Sequence, residues 1–243
     1  MDFTRKIGAG GFGETFLVKR NGILKSVKVF KDSASSEIKV LKKLMTRCIS
    51  KHVLCFESFY KSNGKIYLST EYVPGGDLFD YYNKLDNNKK INYTLEIINF
   101  KKFIRQLCEA VKYIHNVSVV HYDIKPENVM LDANKNVKLI DFGLAQISEG
   151  SKVKVPIGYS DGYRPSDMII FLSPYTTEPR ARWLDVYAVL RTFYNKIKIS
   201  PYHILTKNMN DKMINSLSGI LSILIVEFHE PNILNKLIKQ TKN

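Results

Sequence analysis

The sequence predicts an α+β fold, and three patterns carry that prediction. Glu14 to Arg20 and Ile23 to Phe30 alternate in the manner of strands, and the Asn21-Gly22 pair between them suits a tight hairpin. Phe100, Phe103, Ile104, Leu107, Val111 and Ile114 recur at helical spacing and mark a long amphipathic helix. A second hairpin pattern follows, with apolar Val129-Met130-Leu131, a turn over 132–136, and apolar Val137 to Ile140.

That second hairpin joins the most informative residues of the chain, His121-Tyr122-Asp123-Ile124-Lys125-Pro126-Glu127-Asn128 and Asp141-Phe142-Gly143. A hairpin returns the chain to its start, so Asp141 comes back near Asn128. Two oxygen ligands meeting this way suit a hard cation such as Mg²⁺, whose other ligands are waters and phosphate oxygens. The two segments resemble the catalytic loop H-R-D-L-K-P-E-N and the D-F-G triplet of the protein kinases. The resemblance covers about residues 3 to 195. It implies a bilobal protein-kinase-like fold: an N-lobe over about 1–70 with a small antiparallel sheet and one helix, a hinge at 71–77, and a mainly helical, shortened C-lobe over 78–243. The whole is expected to be a single catalytic domain.

The remaining motifs follow in the order that family requires. Gly8-Ala9-Gly10-Gly11-Phe12-Gly13 fits G-x-G-x-x-G. A dinucleotide-binding fingerprint would open a helix, whereas a strand follows here, so Gly8, Gly10 and Gly13 are expected to close backbone N–H groups over ATP phosphates. Ser26-Val27-Lys28 stands where the family has A-x-K, which makes Lys28 the phosphate-pairing lysine. Ile38, Leu41 and Leu44 form a helical stripe that carries Glu37, the expected ion-pair partner of Lys28.

Lys65 to Thr70 reads as a fifth strand after the Asn63-Gly64 turn, leading into Glu71-Tyr72-Val73-Pro74-Gly75-Gly76-Asp77. The resemblance makes this the hinge. Backbone groups of Glu71 and Val73 would meet the adenine edge, and Asp77 the ribose hydroxyls. Thr70 falls at the gatekeeper position, and Met130 should pack beneath the base. Asp185 matches the buried aspartate that anchors the catalytic loop from a central helix ending near Lys196.

Departures from the family pattern are equally specific. Tyr122 replaces the arginine that receives an activation-loop phosphate, and tyrosine cannot neutralise a charge of about −2. Activity without loop phosphorylation is therefore expected, with the loop held by packing through Tyr159 and Tyr163 or by a bound partner. Thr15 and Ser26 stand where Val and Ala usually cover the adenine. Pro165-Ser166-Asp167 replaces A-P-E, and no arginine follows Arg191. The segment after the central helix is shorter than is usual for the family, as in minimal kinases of large DNA viruses or bacterial effectors.

Composition bounds the partners. The 243 residues are 44% apolar, ample for a core. No stretch approaches the roughly 20 apolar residues of a membrane helix, and Ile220 to Val226 reads as a short buried segment. The glycine loop begins almost at the first residue, and no signal peptide is expected. Cys48, Cys55 and Cys108 lack metal-ligand spacing, and reduced thiols in a cytoplasmic or nuclear compartment are expected. A formal charge of +14 fits a solvated basic surface and a taste for acidic protein substrates. No motif indicates nucleic acid.

The resemblance implies a Ser/Thr protein kinase. Asp123 would be the catalytic base, Lys125 the stabiliser of the transferring phosphoryl, and Asn128 and Asp141 the ligands of Mg²⁺, with Mn²⁺ as a substitute. Lys125 and Ser160 favour Ser/Thr over tyrosine specificity. A small-molecule phosphotransferase shares H-x-D-x-x-x-x-N, but Lys125-Pro126-Glu127 and the segment from Tyr163 to Asp167 argue for a protein substrate. The alternative is a pseudokinase-like module that binds nucleotide and captures a partner protein, which the shortened lobe and Tyr122 would suit.

Overall fold

A computed structural model of the chain describes residues 2–11, 13–30, 35–45, 50–86, 92–156, 162–163, 174–199 and 233–242. Ser160, Tyr159, Pro165-Ser166-Asp167 and Ile220 to Val226, singled out above, lie outside the described residues.

The first part is a five-stranded antiparallel sheet in the order β1-β2-β3-β5-β4. Its strands are β1 (Asp2–Gly10), β2 (Gly13–Arg20), β3 (Ile23–Phe30), β4 (Phe56–Ser62) and β5 (Lys65–Glu71). Two hairpins are closed by Asn-Gly pairs. Asn21 and Gly22 have φ of 50° and 79°, and Asn63 and Gly64 have 49° and 73°. Both residues of each turn are left-handed, the geometry that matches the strand twist and that Asn-Gly tolerates best. Helix α1 (Ser35–Met45) turns Ile38, Leu41 and Leu44 inward, as its stripe predicts.

Helices dominate the second part. Helix α2 (Leu78–Asp86) is followed by α3 (Tyr93–Asn116), which starts at an Asn92 side chain accepting the Leu95 N–H at 3.1 Å. All six residues of the predicted α3 stripe are buried. Each such side chain contributes about 1.5–3 kcal/mol by leaving water. Phe100 meets Phe193 of α4 (Glu178–Ile199) edge-on at 5.6 Å between ring centroids. Helix α5 (Ile233–Gln240) packs on α3 through buried Leu237. Helix α4 runs on past the expected end near Lys196 to Ile199.

Short strands sit between the helices. Strand β6 (Val119–Val120) pairs with β9 (Gln146–Ile147), and β10 (Lys152–Lys154) with β11 (Tyr175–Thr177). The predicted second hairpin is β7 (Val129–Leu131) against β8 (Val137–Leu139), with Val129 opposite Leu139. No helix among the described residues is long and apolar enough to cross a membrane.

Cys108 is a buried free thiol, and Cys48 lies outside the described residues.

Candidate active site

A cleft of about 870 Å³ lies where the sheet faces the β7–β8 hairpin, and it collects nearly all of the sequence-predicted residues. Its ceiling is the β1–β2 hairpin. Gly8, Gly10 and Gly13 all border the cleft, but only Gly13 is sterically obligatory here. A Cβ at Gly13 would sit 2.3 Å from the Val29 carbonyl oxygen, and one at Gly10 would meet open space. Glycine at 13 lets β2 lie directly against β3.

Lys28 is the electrostatic centre. Its Nζ lies 3.0 Å from both carboxylate oxygens of Glu37 and 3.1 Å from Oδ1 of Asp141. Burial pushes the Lys28 ammonium pKa down, but the attraction of Glu37 and then Asp141 wins and holds it above 10.5. For Asp141, burial pushes upward, and Lys28 reverses this to leave the carboxyl below 3.8. Glu37, still more enclosed, is raised above 4.5 because burial outweighs the pull of Lys28. Burying such a cluster offsets much of its own attraction, so its effect is to fix the ammonium in place.

Residues 121–128 are held from behind. Asp185 is fully buried, and its carboxylate accepts the backbone N–H groups of His121 and Tyr122, each at 2.8 Å. His115 Nε2 reaches the same carboxylate at 2.9 Å, a contact that sequence reasoning missed. His121 donates from Nε2 to the Ile140 carbonyl at 3.0 Å and accepts the Asp123 N–H at Nδ1, which ties the loop to the strand leading into Asp141. Phe142 is buried, with its ring 4.8 Å from that of His121. Tyr122 and Asp141 have φ of 66° and 57°. Side chains rarely adopt this region, at a cost of about 1–3 kcal/mol each, and such strain gathers at functional sites.

At the mouth, Asp123 Oδ2 accepts from Lys125 Nζ and Asn128 Nδ2, both at 2.9 Å. Asn128 Nδ2 also reaches the Asp123 carbonyl at 2.8 Å, and the Ile140 N–H donates to the Asn128 carbonyl at 3.0 Å. The structure thus places Asn128 beside Asp123 and next to the residue that precedes Asp141.

The segment from Glu71 to Asp77 borders the cleft together with Met130. Gly75 donates to the Leu131 carbonyl at 2.8 Å, and Leu131 donates to that of Gly76 at 2.9 Å. The Glu71 carboxylate is tied down on one side: its Oε1 accepts Lys138 Nζ at 2.8 Å and the Cys55 N–H at 2.9 Å. Asp77 Oδ1 caps α2 by accepting the Asp80 N–H at 2.7 Å. Neither Lys138 nor the Asp77 cap was visible beforehand, although an aspartate just before an apolar-periodic helix is an ordinary capping signal.

Tyr122 is also placed unexpectedly. Its ring is buried in a small apolar cluster with Val120, Val153, Ala181 and Leu184.

This fold and cleft define a protein kinase domain. The family model "Protein kinase domain" matches residues 1–240, and the chain belongs to that family. The chain is 36% identical over 171 residues to the probable serine/threonine-protein kinase 2 of Plasmodium falciparum, a match that covers 65% of this chain and 31% of that protein. It is 33% identical over 150 residues to maternal embryonic leucine zipper kinase of Danio rerio, covering 59% and 21%. Over 173 residues it is 30% identical to Aurora kinase C of Mus musculus, covering 68% and 60%. The chain spans less than two thirds of the length of each of these relatives.

Proposed function

We propose that the chain transfers the γ-phosphoryl group of MgATP to serine or threonine hydroxyls of protein substrates, acidic ones among them. The observation that carries this reading is the placement of Lys28 between Glu37 and Asp141, in the same cleft as Asp123, Lys125 and Asn128. Lys28 orients the α- and β-phosphates beneath the backbone of Gly8, Gly10 and Gly13, and Glu37 keeps its ammonium from folding away. Backbone groups of Glu71 and Val73 hold the adenine edge above Met130, and Asp77 meets the ribose with the oxygen not used as a cap.

The donor set fits a hard divalent cation. Asn128 turns its amide nitrogen toward Asp123, so its carbonyl oxygen is left for a metal. Asp141 gives one oxygen to Lys28 and retains the other. One carboxylate, one amide oxygen and phosphate oxygens suit Mg²⁺, with Mn²⁺ as a substitute. Bound there, the ion would neutralise phosphate charge. Asp123 orients the attacking hydroxyl and takes its proton, and Lys125 meets the charge on the transferring group. Phosphoryl transfer depends mostly on positioning and charge. A pure binding module would have no use for the Asp123–Lys125 pair, which favours the enzyme over the nucleotide-binding module.

Incubation with labelled ATP, Mg²⁺ and acidic or basic generic protein tests the proposal. Wild type should label protein, and Lys28→Met and Asp141→Asn should each lose most of that activity. MgATP should also raise the melting temperature by mass action. Equal labelling by both variants would refute the site.

A further inference from the structure

Two hydroxyls hang from the cleft ceiling with no hydrogen-bond partner among the described residues. Thr15 on β2 lies opposite Lys28 on β3, and directly opposed residues project to the same face of a sheet. That face is the cleft face, because Lys28 reaches Glu37 and Asp141 from it. Ser26 lies two residues before Lys28, so it shares that face, and it stands opposite Thr70 of β5. Both Thr15 and Ser26 border the cleft. Thr70 differs from them: its hydroxyl has the carbonyls of Ser26 and Glu71 at 3.5 and 3.3 Å. Across the cleft lie the apolar side chains of Met130 and Ile140.

A flat base between this ceiling and that floor presents its π face upward. The face of an aromatic ring carries no lone pair in the direction of the hydroxyls, and a hydroxyl pressed against it loses water without a comparable bond. We infer that Thr15 and Ser26 set the base affinity of this cleft, holding it well below what an apolar ceiling would reach, so that the site suits a nucleotide present at high concentration. This rests on the reading of the cleft as a nucleotide site. For the pair, removal of the uncompensated hydroxyls is worth roughly tenfold in Kd.

Calorimetric titration of the full chain with MgATP and, separately, with adenosine tests this. Thr15→Val/Ser26→Ala should bind both ligands about tenfold more tightly and by the same factor, because the ceiling meets only the base that they share. Thr15→Ser, which keeps a hydroxyl, should bind like wild type and shows whether shape alone matters. Lys28→Met should weaken MgATP and leave adenosine unchanged. Unchanged or weaker binding by the double variant, with wild type binding MgATP, overturns the inference while the nucleotide reading stands. A wild type that binds neither ligand overturns both.

Discussion

The side-chain amide of Asn128 donates to Asp123 twice, to the backbone carbonyl at 2.8 Å and to carboxylate Oδ2 at 2.9 Å. One residue thereby aims the proposed base and turns its own carbonyl oxygen toward the proposed metal position. Asp123 itself faces Lys125 and Asn128, while Asp141 faces Lys28. The two carboxylates have separate neighbours and are assigned separate tasks.

Asp123→Ala should therefore lower turnover by about 10²–10⁴-fold, the range for a positioned general base. MgATP affinity should change little. Turnover and Kd measured on the same preparation check this, and a large loss of affinity with intact turnover would reverse the assignment.

Acid should act through Asp141. Burial alone would raise its pKa, but Lys28 more than compensates and leaves it below 3.8. A carboxyl whose folded pKa is depressed stabilises the fold fully above its unfolded pKa, and that contribution disappears as pH falls through the folded value. Melting temperature should accordingly drop below about pH 4, and Asp141→Asn should show a shallower drop over the same interval. Parallel acid slopes for the two proteins would contradict this account.

Activity should not require phosphorylation of Ser148 or Ser151. The Ser148 side chain is buried and directs its hydroxyl to the Gly150 carbonyl at 3.3 Å. Strand β10 is stitched to β11, and Val153 within it joins the apolar cluster around Tyr122. Packing against Tyr122 thus stands where a phosphate–arginine pair would otherwise hold the segment. Ser148→Ala/Ser151→Ala and phosphatase-treated wild type should both retain near-wild-type rates. Tyr122→Ala should destabilise by about 3–5 kcal/mol, as for loss of other buried aromatic rings. Collapse of activity in both phosphate-free proteins, with rescue of wild type by an upstream kinase, would show conventional switching.

Gly75→Ala should loosen the segment between the sheet and the helices. A Cβ there would lie 2.4 Å from the Leu131 carbonyl oxygen and 3.0 Å from that of Asp132. Backbone must move, at a cost of about 1–3 kcal/mol. Denaturant melts should show that loss, together with weaker nucleotide binding. Gly10→Ala, which meets open space, serves as the comparison.

The sequence by itself determined the elements whose causes are local. Asn21-Gly22 and Asn63-Gly64 specify their hairpins because few other pairs accept two left-handed residues in succession. The stripe from Phe100 to Ile114 specifies α3 because its spacing places every apolar side chain on one face. The β7–β8 hairpin was legible for the same reason, and with it the approach of Asp141 to Asn128. Contacts between distant segments were decided only by the tertiary structure. Lys28 meets Asp141 across 113 positions, Lys138 meets Glu71 across 67, and His115 meets Asp185 across 70. Tyr122 shows the difference most plainly. Sequence reported a missing cation at that position, whereas packing turned the ring into an apolar anchor for Val153, because a side chain's neighbours depend on where the whole chain returns and not on the residues beside it.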